Sequence, residues 1–309
     1  MVLLFMGIQT GFSQIAISNV ALIAKIKTGT LFVAMKDPNS IKDKEYVAVF
    51  MKNWTFSKIA CIKYSEVEKN IAPNNSFLTI GATSSGIESV ADNSADYSKT
   101  NVFLELWTTN GKFVYNPTKR KHFNLNDKIQ IARIELFTDF VALSNPSMLY
   151  KTDYDGKNHI KNWGTGILTN YIQTLIAFLN KSEEQNLTAE ILKKEEIIKL
   201  NAETLFIPNY ILTKFSKSSE DENKKFEERE LFNAYKLNYK LLSVEDLNAK
   251  ILNDKIPFYY LLSVKSGNDK FISVVNSVSG EIIYSTHTPQ SYNLKSGDLK
   301  ELQKTIQKK

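Results

Sequence analysis

Gly81-Ala82-Thr83-Ser84-Ser85-Gly86 follows an apolar run, SFLTI, as a phosphate-cradling loop follows a strand. Phosphate chemistry there needs a lysine and a hydroxyl residue next; Ile87 and Glu88 stand in those places, so no cation would reach the phosphates. Gly164-Thr165-Gly166 opens a helical pattern, where free amides could hold an anion; a flexible helix start is the plainer reading. Asp153-Tyr154-Asp155-Gly156-Lys157-Asn158 hints at a calcium loop. With Gly156 at the sixth position, however, Lys151 and Asn162 fall where acidic ligands belong, and the register fails. A polar turn before the long helix is the default reading, with a less regular calcium site as the alternative.

His122, His159 and His287 are widely spaced and form no zinc pattern. No GxSxG elbow is present. Glu195/Glu196 and Glu227/Glu228 sit in charged helical stretches and read as solvated faces. Spacing alone neither reveals nor excludes a glycosidase pair. The single cysteine, Cys61, lies in the alternating run KIACIKY and reads as a core thiol on a strand. Trp54, Trp107 and Trp163 fall on predicted helix, strand and helix-start positions and read as packing residues. Lys119-Arg120-Lys121-His122 is a compact basic patch, read as an exposed turn. No catalytic, cofactor-binding or metal-ligating residue is nominated, and no cofactor is implied.

The elements that would position any site come in two similar sets. Thr30-Leu31-Phe32-Val33 returns as Thr204-Leu205-Phe206-Ile207, and helical stretches follow at Glu45–Trp54 and Glu227–Tyr235. Ser65-Glu66-Val67-Glu68 resembles Ser243-Val244-Glu245-Asp246. Ser76–Ile80 matches Phe258–Leu262, Val102–Tyr115 matches Phe271–Tyr284, and Phe123-Asn124-Leu125 matches Tyr292-Asn293-Leu294. The pattern predicts a duplicated module. Each copy reads as short strands alternating with helices, then a hairpin turning at Asn110-Gly111 or Ser279-Gly280. Leading helices are expected at Asn19–Lys27 and Ala189–Leu200. Closing helices are expected after Asp127 (Ile129, Ala132, Leu136, Phe137, Phe140, Val141) and after Asp298 (Leu299, Leu302, Ile306). Between the copies, Thr165–Lys181 collects Ile167, Leu168, Tyr171, Ile172, Leu175, Ile176 and Leu179 on one stripe, a strong amphipathic helix. Thr83–Thr100 and Lys214–Arg229 read as exposed, polar or charged loops.

The fold expectation is therefore α/β, with α+β as the alternative. Two tandem modules each carry a mixed sheet, flanking helices, a C-terminal β-hairpin and a helix. The segments are 1–13, a leader; 14–150, the first module; 151–187, a linking segment with the long helix; and 188–309, the second module. The element order resembles the small α/β domain of TolB-type N-terminal domains and related envelope lipoprotein modules. That resemblance rests on order alone and transfers no functional residue.

Met1–Ser13, MVLLFMGIQTGFS, has an apolar run ending in a small-x-small pattern before Gln14, as a secretory signal peptide does. It lacks a basic residue before the run, which a start codon upstream of Met1 would explain. The run is too short to span a bilayer, so no transmembrane segment is expected. The 309 residues carry a formal charge of +6, yet Arg120, Arg133 and Arg229 are the only arginines among 39 basic residues. That lysine-dominated balance argues against a nucleic-acid partner, which favours the planar guanidinium. The functional expectation is an exported, non-enzymatic binding or scaffolding protein of the bacterial cell envelope, periplasmic or secreted. Its partner would be an envelope protein or a small ligand, held in the inter-module cleft or by the Thr83–Thr100 loop. The alternative is an exported hydrolase using an Asp/Glu acid–base pair. A two-lobed ligand receptor is the third reading.

Overall fold

The apolar run Thr30–Met35 lies next to the edge of a six-stranded sheet in the computed structural model. The model describes residues 14–84, 100–113, 115, 116, 118, 122–150, 158–187, 189–216 and 221–308. The first module runs β1 (Ile15–Ile17), α1 (Ile23–Lys27), β2 (Thr30–Met35), α2 (Ile41–Asn53), β3 (Lys58–Lys63), β4 (Ser76–Ser84), β5 (Thr100–Thr109) and β6 (Lys128–Leu136). Short α3 (Phe140–Ser144) and long α4 (Thr165–Lys181) follow. The second module runs β7 (Ile191–Leu192), α5 (Lys194–Ile197), β8 (Leu205–Pro208), β9 (Thr213–Ser216), β10 (Asp221–Lys225), α6 (Glu228–Leu231), β11 (Tyr239–Leu242) and α7 (Val244–Asn253). It ends with β12 (Tyr259–Ser266), β13 (Asp269–Asn276), β14 (Ile282–Pro289) and α8 (Ser296–Gln307).

The two sheets have one topology. The strand order is β1-β6-β5-β4-β2-β3 in the first and β7-β14-β13-β12-β8-β11 in the second. In each, the second strand of the module pairs in parallel with two neighbours, and the rest of the sheet is antiparallel. Each also breaks register at one place on its last long strand, between Leu106 and Trp107 opposite β6 and between Val274 and Val275 opposite β14. The extra residues are Ile131 and Ile283, both fully buried. A bulge bends its strand locally, so a shared bulge fixes the alignment of the modules residue by residue. Across one row, Phe32-Phe77-Trp107 corresponds to Phe206-Tyr260-Val275.

The layers stack head to tail. One face of the first sheet carries Phe77, Trp107 and Phe113. Its other face joins Ile23 and Ile26 of α1, Phe50 of α2 and the apolar stripe of α4 in one core. That core continues into the second sheet through Tyr260, Leu262, Val275 and Ile282, with Leu247 and Ile251 of α7. The far face of the second sheet is covered by Ile197 of α5, Leu231 of α6 and Leu299, Leu302 and Ile306 of α8. So α4 is a shared layer, burying Ile167, Leu168, Tyr171, Ile172, Leu175 and Leu179. Each such side chain contributes about 1.5–3 kcal/mol. Asn170, 1% exposed, fastens it: Nδ2 donates to the Ser277 carbonyl at 2.9 Å and Oδ1 accepts from the Tyr260 hydroxyl at 2.9 Å. The Thr174 hydroxyl donates to the Gly280 carbonyl at 2.6 Å. Gly280 has φ +69°, and a Cβ there would lie 2.6 Å from the Asn170 carbonyl oxygen, so only glycine allows this approach.

Several expectations are corrected. The residues after Asp127 form strand β6, not a closing helix; α4 takes that place before the second module, as α8 does at the end. β6 is buried on both faces (Ile131, Ala132, Ile134, Glu135 and Leu136), so strand alternation is lost and a helical spacing appears by accident. Phe113 and Tyr115 lie outside any strand, because the chain leaves β5 into residues 110–127 rather than turning back at Gly111. Phe123 therefore precedes the return strand while Tyr292 follows it, and the two do not correspond. Ser65 lies in a 3-10 turn, whereas Ser243 caps α7 through the Asp246 amide at 2.9 Å. The Ser76–Ile80 match to Phe258–Leu262 is one residue out of register. Helices α1, α5 and α6 are shorter than expected, and Cys61 on edge strand β3 is only half-buried. The thiol is pushed up to about 11 by burial. No described helix is long and apolar enough to cross a membrane.

Candidate functional site

The nominated motifs do not meet. Gly81 to Ser84 are strand β4, and the remainder of that glycine motif lies outside the described residues. So do the leader, Asp153–Lys157, Lys119–Lys121 and most of the Thr83–Thr100 loop. At Gly164-Thr165-Gly166, the Ile167 amide donates to Asn248 Oδ1 of α7 at 2.9 Å, so a protein side chain takes the group an anion would use. His122, His159 and His287 sit against Glu68, Asp139 and Asp269 in three separate places. Among the described residues no group of three or more His, Cys, Asp or Glu side chains could hold a metal ion. Glu196 accepts from the Tyr259 hydroxyl at 2.5 Å and from Lys199 at 2.7 Å; Glu228 accepts from the Tyr239 hydroxyl at 3.1 Å.

A pocket of ≈ 890 Å³ opens where β2 ends. Its floor is Val33, Leu78, Ile80 and Leu104 of the first sheet. One wall is α2, with Tyr46 and Phe50; the other is the chain leading into α4, with Ile160 and Trp163. The Tyr46 and Trp163 rings lie 6.0 Å apart. The mouth carries Lys36, Asp37, Ile41, Lys42, Asp43 and Glu45, with Ile41 89% exposed. The crevice beyond the carboxyl end of a parallel strand is the usual place for a ligand in an open α/β sheet.

The sequence Asp37-Pro38-Asn39-Ser40 builds this mouth. The Ser40 amide closes a turn on the Asp37 carbonyl at 2.8 Å, and the Ser40 hydroxyl accepts from the Asp43 amide at 3.0 Å, capping α2. Asp43 Oδ2 in turn accepts from the Asp37 amide at 3.0 Å, and Asp37 Oδ1 from the Asn39 amide at 3.3 Å. Lys63 lies 3.4 Å from Asp37. Both carboxylates are thus held in their own turn. They do not form a general acid–base pair facing across the pocket. Tyr46 is raised above the ordinary phenol range by burial, with the Glu45 and Asp43 charges adding to it. Tyr64, which also lines the pocket, is pushed up to about 12, chiefly by burial. His159, 3% exposed, bonds Asp139 through Nδ1 at 2.6 Å, and the same carboxylate caps α3 through the Ala142 amide at 3.0 Å.

In the second module the described residues fill the corresponding crevice. There Ile207, Leu261 and Ile272 take the places of Val33, Leu78 and Leu104, and Ser263 that of Ile80. The chain after β8 turns inward as Asn209–Leu212, and Tyr210 and Ile211 bury themselves among those residues. The Tyr210 hydroxyl donates to the Ser263 carbonyl at 3.1 Å. The pocket drew on residues scattered from Val33 to Trp163, which periodicity does not connect; the DPNS turn and cap after an apolar strand was its one local signal. Comparison with protein-family models, curated proteins and solved structures finds no match.

Proposed function

We propose that this is a non-enzymatic binding protein whose ligand sits in the first-module pocket. The leader motivates the companion proposal that it works in the bacterial envelope or outside the cell. One observation carries the reading: duplicated crevices, of which one is filled by its own chain and the other is open. An apolar floor with an aromatic pair and a polar mouth suits an organic ligand or side chain. The carboxylates at the mouth hold the turn, which speaks against the hydrolase alternative. Native mass spectrometry of protein purified from its source tests the reading, with Ile80→Trp as the variant that fills the pocket. A bound mass in the wild type that is lost in Ile80→Trp supports it. Equal retention in both, or hydrolysis of glycans, peptides or esters by the purified protein, contradicts it.

A further inference from the structure

We infer that the pocket takes a tyrosine followed by a branched aliphatic residue, presented by a tight turn of a partner polypeptide, as the 3-10 turn Asn209–Leu212 presents Tyr210 and Ile211. This rests on the reading of the pocket as a ligand site and names its occupant. The second module supplies the pattern, because Tyr210 and Ile211 already fill the same crevice on the same strands. The first module keeps the apolar floor that accepts such a pair, and adds the Tyr46–Trp163 wall, against which a ring can pack.

β2 pairs with β4 from Leu31–Ser76 to Val33–Leu78, while β4 runs on to Ser84. Residues Thr79 to Ser84 therefore have no strand neighbour on that side among the described residues, next to the pocket floor at Ile80. A tyrosine hydroxyl entering the pocket has main-chain carbonyls of that stretch to donate to. In the second module the corresponding stretch receives the Tyr210 hydroxyl at Ser263. An anionic small molecule fits less well: Ser40 already holds the Asp43 amide in the first turn of α2, Asp43 holds the Asp37 amide in the turn before it, and Asp37, Asp43 and Glu45 lie at the mouth.

The chain contains its own probe. A fluorescein-labelled peptide of residues 208–216, Pro-Asn-Tyr-Ile-Leu-Thr-Lys-Phe-Ser, is titrated into the full-length protein and read by anisotropy. Saturable binding is expected. It should weaken at least about tenfold when alanine replaces the peptide's tyrosine, as loss of one buried ring requires. It should disappear in Ile80→Trp and in Met35→Trp, two independent ways to fill the pocket, each checked for native circular dichroism. Absence of binding to the wild type, equal binding of the alanine peptide, or unchanged binding by both filled variants overturns the inference. If the peptide fails while Ile80→Trp still expels a copurified small molecule, the occupant is wrong and the ligand site stands. If neither the peptide nor a copurified molecule responds to the filled variants, both fail.

Discussion

The crevice after β2 and the crevice after β8 begin with the same strand order, the same parallel pairs and the same bulge. They end differently. After β8 the chain spends Asn209–Leu212 filling its own crevice, then adds the β9–β10 hairpin before the short helix α6. After β2 the chain turns at once into the 13-residue helix α2, which stands beside the crevice instead of in it. The sheet is therefore not what makes a site here. The opening comes from the connection that the second module uses for packing and the first does not.

The largest expected effect breaks the filled crevice. Tyr210→Ala removes a buried ring and leaves a cavity, and should cost about 3–5 kcal/mol in urea unfolding. If 4-methylphenol restores a measurable part of that loss, the two crevices are chemically alike. A loss below about 1 kcal/mol would mean that Tyr210 is not the filling group.

Two turn glycines sharpen the contrast next. Gly280 has φ +69° with the backbone of α4 against it, whereas Gly111 has φ +78° with open space around it. Gly280→Ala should cost about 2–4 kcal/mol and Gly111→Ala about 1 kcal/mol, measured by thermal unfolding. Equal costs would show that the approach of α4 to the β13–β14 turn is not tight.

Glu135, 1% exposed and bonded to Arg133 and to Ser266 of the second module, gives a smaller effect confined to a pH window. Burial raises its carboxyl above the ordinary range, against the pull of Arg133. The folded chain therefore keeps that proton to higher pH than the unfolded chain. The associated stability is full below the unfolded value, about 4.3, and is lost as pH rises through the folded value. Glu135→Gln cannot titrate, so its stability relative to the wild type should rise with pH across that window. A pH-independent difference would contradict the assignment.

The smallest expected pair is at the serines aligned in sequence. Ser243→Ala should cost about 1 kcal/mol, the loss of a helix cap, and Ser65→Ala less than about 0.5 kcal/mol. Equal values would mean that the 3-10 turn at Tyr64–Glu66 is capped as α7 is.

Much of the fold was legible. The run from Thr30 aligned correctly with the run from Thr204, and the stripe of Thr165–Lys181 matched α4 end for end. The first module's return strand was not legible, because burial on both faces and the bulge at Ile131 erase its two-residue period. The hairpin reading held at Gly280, where five residues join β13 to β14. It failed at Gly111, because a favourable turn glycine is also compatible with a chain that departs. The site was the least legible part. Trp163 read as a packing residue and His159 as an isolated histidine; only the meeting of β2, α2 and the approach to α4 puts them on one pocket wall.

The claim that this pocket is open and takes an aromatic ligand is tested most directly by titrating 4-methylphenol while following the three tryptophan indole N–H signals by NMR. Trp54 and Trp107 are 4% and 3% exposed and line no part of the pocket, so they serve as internal controls. Trp163→Phe identifies the third signal. The expected result is a saturable shift at Trp163 with Trp54 and Trp107 unmoved. No shift at Trp163, or a larger one at either control, would contradict the account.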